Sequence, residues 1–271
     1  MPSSHPILCG SIAGRPGRFG VAMHNAAYRA MGLDFAYVAF GTEDTGGAVA
    51  AMRALGIRGL GVTMPHKQRI MAYLDRIDET AWAIGAVNTV VNDDGVLTGH
   101  NVDWIGAVRA FREKMDLAGK VAAVVGAGGG ARAIIYGLNE AGVRVSVFNR
   151  SIDNGRALAK SMGAVFGGPP EALEAAGPFD LIAHATPVGF GDDTGCLIPE
   201  AALTRGVVVF DAVPVPVETE LLRTAAARGC VAIPGVRMQL QQAAYQFRLY
   251  TGREPDLAVL EAALSTAMAA G

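Results

Sequence analysis

Short apolar runs alternate with amphipathic stretches from one end of the chain to the other. ILCGSIA, FAYVAF and RGLGVTM read as strands. VAMHNAAYRAM, a segment ending at Ala54-Leu55-Gly56, and PHKQRIMAYLD read as the helices among them. AVNTVVND and VLTGHN then form a hairpin about Asp94-Gly95, because Asp-Gly suits the positive φ of a tight primed turn. DWIGAVRAFREKM carries Ile105, Val108 and Phe111 on one side and is expected to connect two lobes.

The alternation restarts at Lys120. KVAAVVG, RVSVFNR, DLIAHAT, GVVVFDAV and VAIPG are strands, and helices are expected from Ala131, from Ile152 and around ETELLRTAAARG. Strands apolar throughout are covered on both faces, as in a parallel doubly wound sheet. Two helices, VRMQLQQAAYQFRLYTG and DLAVLEAALSTAMAA, finish the chain and are expected to return to the first lobe. The fold class is therefore α/β, with residues 1–103 plus 236–271 as one domain, 104–235 as the other, and a cleft between them.

With 271 residues the chain can bury two cores. Charged residues make up 18%, the net charge is −2 and no charge run stands out, so no nucleic-acid partner is expected. The apolar runs fall far short of the ~20 residues that cross a bilayer, and no membrane association is expected. MPSSHPILCG has no export-signal pattern, so the cytoplasm is the expected setting. Cys9, Cys196 and Cys230 lack ligand spacing and read as reduced thiols, with no metal site.

Candidate chemistry sits at the ends of the expected strands. In VAAVVGAGGGARA, Gly126, Gly128 and Ala131 match G-x-G-x-x-A between a buried strand and a helix, where backbone N–H groups can hold a pyrophosphate. The next strand ends Asn149-Arg150-Ser151, with no acidic residue for a ribose 2′-hydroxyl; Arg150 suits a 2′-phosphate, so NADP is expected and NAD is the alternative. Arg132 is a second phosphate candidate. In GVTMPHK, Pro65 suits a first helical turn and leaves Lys67 near a helix start. Lys67 and Asp103 together would form a proton carrier, or else a structural ion pair. Gln239, Gln242 and Gln246 form one stripe on the penultimate helix, able to read hydroxyls or simply to face water.

In this order the motifs resemble the shikimate dehydrogenase family over nearly the whole chain. V-T-x-P-x-K lies at Val62 to Lys67, A-V-N-T at Ala86 to Thr89, and N-x-D at Asn101 to Asp103. GAGG-x-x-R lies at Gly126 to Arg132, N-R-T becomes Asn149-Arg150-Ser151, N-A-T-x-x-G becomes His184 to Gly189, and M-x-x-x-Q lies at Met238 to Gln242. The resemblance implies a substrate domain followed by a Rossmann-type dinucleotide domain, and reversible NADP-linked oxidation of shikimate to 3-dehydroshikimate. It further implies Lys67 and Asp103 as catalytic residues, with Thr63, Asn88, Asp103 and Gln242 on ring hydroxyls. The dinucleotide would lie against Gly126, Gly128, Gly129, Gly130, Ala131, Asn149, Arg150, Ser151, Thr186, Val213 and Gly235, its nicotinamide near Gly189 and Gly235.

Several recognition positions depart from the family pattern. Where the family carries S-x-S before a histidine to bind the substrate carboxylate, this chain has Arg18, Phe19 and Gly20 ahead of His24; the family asparagine before Thr63 is Gly61. The second basic residue of NRTxxR is Asn154, and the tyrosine expected after Asp211 is missing from Ala212-Val213-Pro214. The chain is thus similar to a divergent branch with a G-R-P-x-x-F-G loop. In SIAGRPGRFG, Ser11 and Arg15 are expected to take over the carboxylate, with Arg18 pointing to water. The partner is a small carboxylate substrate and the chain a monomer or homodimer. A quinate or aminoshikimate dehydrogenase using NAD, and a low-activity ligand-binding or regulatory homologue, are the alternatives; a methylenetetrahydrofolate dehydrogenase fits AVNT and NVD poorly.

Overall fold

The computed structural model describes residues 5–270. In chain order the first elements are β1 (Ile7–Ala13), α1 (Phe19–Ala30), β2 (Phe35–Gly41), α2 (Thr45–Ala54), β3 (Gly59–Val62), α3 (His66–Arg69), β4 (Arg76–Ile77), α4 (Glu79–Ile84), β5 (Thr89–Asp93) and β6 (Val96–His100). Next come α5 (Asp103–Arg112), β7 (Val121–Val125), α6 (Gly129–Glu140), β8 (Arg144–Phe148), α7 (Ile152–Ser161), β9 (Val165–Gly168), α8 (Leu173–Ala176), β10 (Leu181–His184), β11 (Val208–Asp211), α9 (Glu220–Ala227) and β12 (Val231–Pro234). α10 (Gly235–Thr251) and α11 (Leu257–Ala269) close the chain. Two compact units result: one holds the chain up to Val102 together with Gln242 onward, the other Asp103–Gln241. The second boundary falls inside α10, past the residue 235/236 junction read from the sequence, because Arg237 and Gln241 both bond the Glu113 carboxylate of the second unit, at 2.9 and 3.0 Å.

The sheet of the first unit runs β2-β1-β3-β5-β6-β4. β1, β2 and β3 are parallel, whereas β5 turns antiparallel to β3 and pairs with β6 through the Asp94-Gly95 turn, both residues at positive φ (51° and 91°). β3 shows how sequence fixes packing. Its GLGV alternation sends Leu60 and Val62 into the apolar core with Ile12, Val49 and Met52, and turns Gly59 and Gly61 the other way. A Cβ on Gly59 would lie 2.2 Å from the Tyr250 ring, so α10 rests directly on the glycine face. There His24 is fully buried and stacks on Tyr37, with ring centroids 4.3 Å apart. Burial pushes its pKa down to about 4, the nearby Gln246 amide acting weakly against that shift.

In the second unit the order is β9-β8-β7-β10-β11-β12, every neighbouring pair parallel. This is the doubly wound order, with its switch point between β7 and β10. Both sheet faces are covered: Ala122 and Val124 pack into one apolar cluster, Ala123 and Val125 into another. The Asp103 helix, where the chain passes from one unit to the other, ends at Arg112 and packs on α6, where a Cβ on Gly137 would meet Val108 Cγ2 at 2.8 Å. Two expectations need correction. α6 begins at Gly129, two residues before Ala131. PHKQRIMAYLD is not one helix, because four residues of α3 give way to a 3-10 turn at Ile70–Tyr73.

Candidate active site

Lys67 is held by its neighbours' bonds. His66, fully buried, puts Nε2 2.9 Å from the Thr42 carbonyl and Nδ1 2.7 Å from the Thr45 hydroxyl. A carbonyl only accepts, so in the neutral ring Nε2 donates to Thr42 and Nδ1 accepts from Thr45. Lys67's own carbonyl accepts the Val87 N–H at 2.8 Å, tying the turn to the approach to β5. Thr63, exposed, opens the same turn: its N–H donates to Ile12 O (3.1 Å) and its carbonyl accepts from His66 N–H (2.8 Å).

Asn88, on the approach to β5, is 4% exposed. Its Oδ1 accepts from the Val102 N–H (2.8 Å) and the Thr89 hydroxyl (2.9 Å), while Gln246 Nε2 donates to that same hydroxyl at 2.9 Å. Asn101 is anchored by donation to Ala86 O (2.9 Å). Val102 immediately precedes Asp103, which opens α5 and is 2% exposed. Gln246, on the stripe expected to read hydroxyls or face water, is half-buried and bonded to Thr89 of the sheet. Gln242, the resemblance's hydroxyl reader, is half-buried one helical turn earlier.

The loop of residues 14–18 joins this turn. Gly14 N–H donates to Met64 O at 3.0 Å, and a Cβ on Gly14 would meet Glu43 Oε1 at 2.4 Å and Pro65 Cδ at 3.6 Å. Arg15 and Arg18 are both exposed, and Ser11 is half-buried. Arg18 precedes α1 and its guanidinium lies 5.7 Å from the Phe19 ring centroid, so it has a local partner as well as solvent.

In the second unit the expected dinucleotide residues gather at the carboxyl edge of the sheet. Gly126, Gly128, Gly129, Gly130 and Ala131 follow β7; Asn149, Arg150 and Ser151 follow β8; Thr186 follows β10, Val213 follows β11 and Gly235 follows β12. Gly126 has φ +127°, and a Cβ there would meet Ala185 O at 2.8 Å, so the turn tolerates no side chain. Nothing lies within 4 Å of a Cβ built on Gly128 or Gly130. α6 starts from Gly128 with no side-chain cap and no acidic residue in its first turn. One turn in, Arg132 Nε is buried without a hydrogen-bond partner. Uncapped N–H groups, open space and an orphaned guanidinium nitrogen fit a bound phosphate. Asn149 Nδ2 donates to Ser151 O (2.8 Å), shaping the turn that presents the exposed Arg150.

A buried network braces this edge. His184 ends β10, Asp211 ends β11, and the two are paired in register. His184 Nδ1 lies 2.9 Å from Asp211 Oδ1, and Nε2 2.6 Å from Thr186 Oγ1. Asp211 also accepts from Val213 N–H (3.0 Å) and the Thr219 hydroxyl (2.6 Å). Residues 185–188 and 211–219 are thus tied through one carboxylate, where the family pattern has asparagine at His184. Among the described residues no His, Cys, Asp and Glu cluster could hold a metal ion, and no helix is long and apolar enough to cross a membrane.

Residues 19–90 match the shikimate dehydrogenase substrate binding domain, and 235–264 the shikimate 5′-dehydrogenase C-terminal domain. The chain is 42% identical over 261 residues to the shikimate dehydrogenase (NADP(+)) of Geobacter sp. (strain M21), covering 91% of this chain and 90% of that protein. Identity to a shikimate dehydrogenase-like protein of Haemophilus influenzae is 38% over 262 residues, covering 94% and 95%. A solved shikimate dehydrogenase in complex with NADP+ matches with a TM-score of 0.91 at 33% identity, over 99% of this chain and 98% of that one.

Proposed function

The chain belongs to the shikimate dehydrogenase family, and from that premise we propose that it is an NADP-dependent dehydrogenase of shikimate or a close hydroxylated cyclohexene or cyclohexane carboxylate, forming the 3-dehydro ketone reversibly. The observation that carries this reading is the glycine edge after β7, open at Gly128 and Gly130 and backed by the orphaned Arg132 nitrogen. Bound there, NADP provides a hydride acceptor. Lys67 takes the proton of the reacting hydroxyl, with Asp103 as its partner in catalysis. Thr63, Asn88 and Gln242 hold hydroxyls of the ring, while Ser11 and Arg15 bind its carboxylate. Arg150 binds the 2′-phosphate that distinguishes NADP from NAD.

Two predictions test the recognition residues. Arg150→Ala should reduce the kcat/KM preference for NADP over NAD by about tenfold to a hundredfold, the size of one or two lost charge-assisted hydrogen bonds. Steady-state assays with both dinucleotides measure it, and an unchanged ratio removes Arg150 from the role. Arg15→Ala should raise KM for the ring acid much more than Arg18→Ala, because the cation beside Phe19 already has a local contact. Equal, small effects would make the loop a plain turn.

One observation favours a second reading, a ligand-binding homologue without efficient turnover. At the positions of the family's two serines, Arg18 and Gly20 offer no hydroxyl, and Phe19 between them is buried. Calorimetry showing tight dinucleotide and ring-acid binding without hydride transfer would favour it.

A further inference from the structure

α10 meets the sheet of the first unit on its glycine face, and one residue of that helix is bonded into the hydrogen-bond system of Asn88. A Cβ on Gly61 would stand 2.9 Å from Tyr37 Oη, 3.4 Å from Ser11 Cβ and 3.5 Å from Gln246 Nε2. The space over this glycine is therefore filled by a tyrosine hydroxyl and a glutamine amide.

The bonds leading away from Gln246 run in one direction. Val102 contributes a backbone N–H, which can only donate, so Asn88 presents Oδ1 to it. The Thr89 hydroxyl, 2.9 Å from that same oxygen, must donate as well. Having given its proton to Asn88, Thr89 can only accept from Gln246, whose amide nitrogen stands 2.9 Å away. Each orientation follows from the one before, and the backbone N–H fixes the sense of the whole chain.

We propose that Gln246 is a positioning residue for substrate recognition: by donating to Thr89 it commits the Thr89 proton to Asn88 and holds the Asn88 amide in its binding orientation. This rests on the reading that Asn88 binds a hydroxyl of a ring acid. A glutamate at 246 has nearly the same shape but cannot donate. Facing it, the Thr89 hydroxyl turns to the carboxylate and leaves Asn88.

The test uses the full-length protein with NADP and shikimate or the best ring acid found. Gln246→Glu should raise KM about tenfold while kcat changes less than about twofold, as for a lost binding interaction and not lost chemistry, whereas Gln246→Ala, which offers no acceptor to draw the Thr89 proton away, should raise KM less. Thr89→Ser should behave like wild type, and Gln246→Ala combined with Thr89→Val should be no worse than the weaker single variant. Side-chain amide NMR signals of Asn88 should shift in Gln246→Glu and stay put in Thr89→Ser. Wild-type KM together with unmoved Asn88 signals in Gln246→Glu overturns the proposal. If the wild-type protein turns over no ring acid, the functional reading fails by itself, and the NMR signals decide the coupling: a shift upholds it and constancy overturns it.

Discussion

Lys67→Ala is expected to lower kcat by about 10²–10⁴-fold, the range for losing a positioned general acid–base group. Dinucleotide affinity should not move. The turn around Lys67 is built by other atoms: both ring nitrogens of His66 are engaged, Val87 donates to the Lys67 carbonyl, and Thr63 N–H reaches Ile12. On the proposed reading, removing the ammonium removes the proton carrier while these backbone and ring bonds stay in place. Unchanged thermal stability beside a collapsed kcat is the expected pair of results. A kcat within a few-fold of wild type would take Lys67 out of the proton transfer, and a large rise in KM alone would make it a binding residue.

Asp211→Ala should destabilise the protein by roughly 3–5 kcal/mol, the cost of breaking a buried charged or hydrogen-bonded pair by deleting one side. The carboxylate is 1% exposed and meets His184, Val213 N–H and the Thr219 hydroxyl, all of which would lose their partner at once. Because Thr219 also caps α9 by accepting from Leu222 N–H at 3.3 Å, the damage should spread to that helix start. Chemical denaturation measures the loss. On the proposed reading, in which Thr186 and Val213 touch the dinucleotide, its affinity should fall as well. A loss under about 1 kcal/mol, the net size of a single ordinary hydrogen bond, would mean that solvent or neighbouring groups replace the carboxylate readily.

Much of this architecture could be read from the chain. The apolar strands of the second unit, the Asp94-Gly95 hairpin and the glycine turn at Gly126 are local signals, and each lies where its chemistry requires. Features set by tertiary partners were harder to see. Ile70, Met71, Tyr73 and Leu74 follow the apolar pattern of a helix. However, the Lys67 carbonyl is bonded by Val87 from outside the helix, and a 3-10 turn follows α3. β4 is two residues long and too short for any period to show. The half-exposed β9 ends in two glycines, a weak strand signal.

The site divides along the same line. The glycine turn and Arg150 stand in local motifs legible by themselves, while Lys67 and Asn88 stand in motifs to which the family resemblance gives a role. Gln246 carries no such mark, since its significance depends on Gly61 leaving room above β3 and on Thr89 lying beneath the helix. The alternation of glycine with leucine and valine in GLGV was the available clue: two small residues on one strand face announce a closely packed neighbour. His184 similarly reads in the sequence as one substitution in a motif, because its partners Asp211 and Thr186 meet its two nitrogens only in the folded sheet.

The most direct test follows NADPH formation by the purified protein with NADP and a panel of shikimate, quinate and amino-substituted ring acids, run in parallel with Lys67→Ala. The expected result is NADPH production with at least one ring acid, faster with NADP than with NAD and nearly abolished in the lysine variant. No NADPH from any ring acid, although calorimetry shows dinucleotide and acid both bound, would contradict the assignment of this chain as a dehydrogenase.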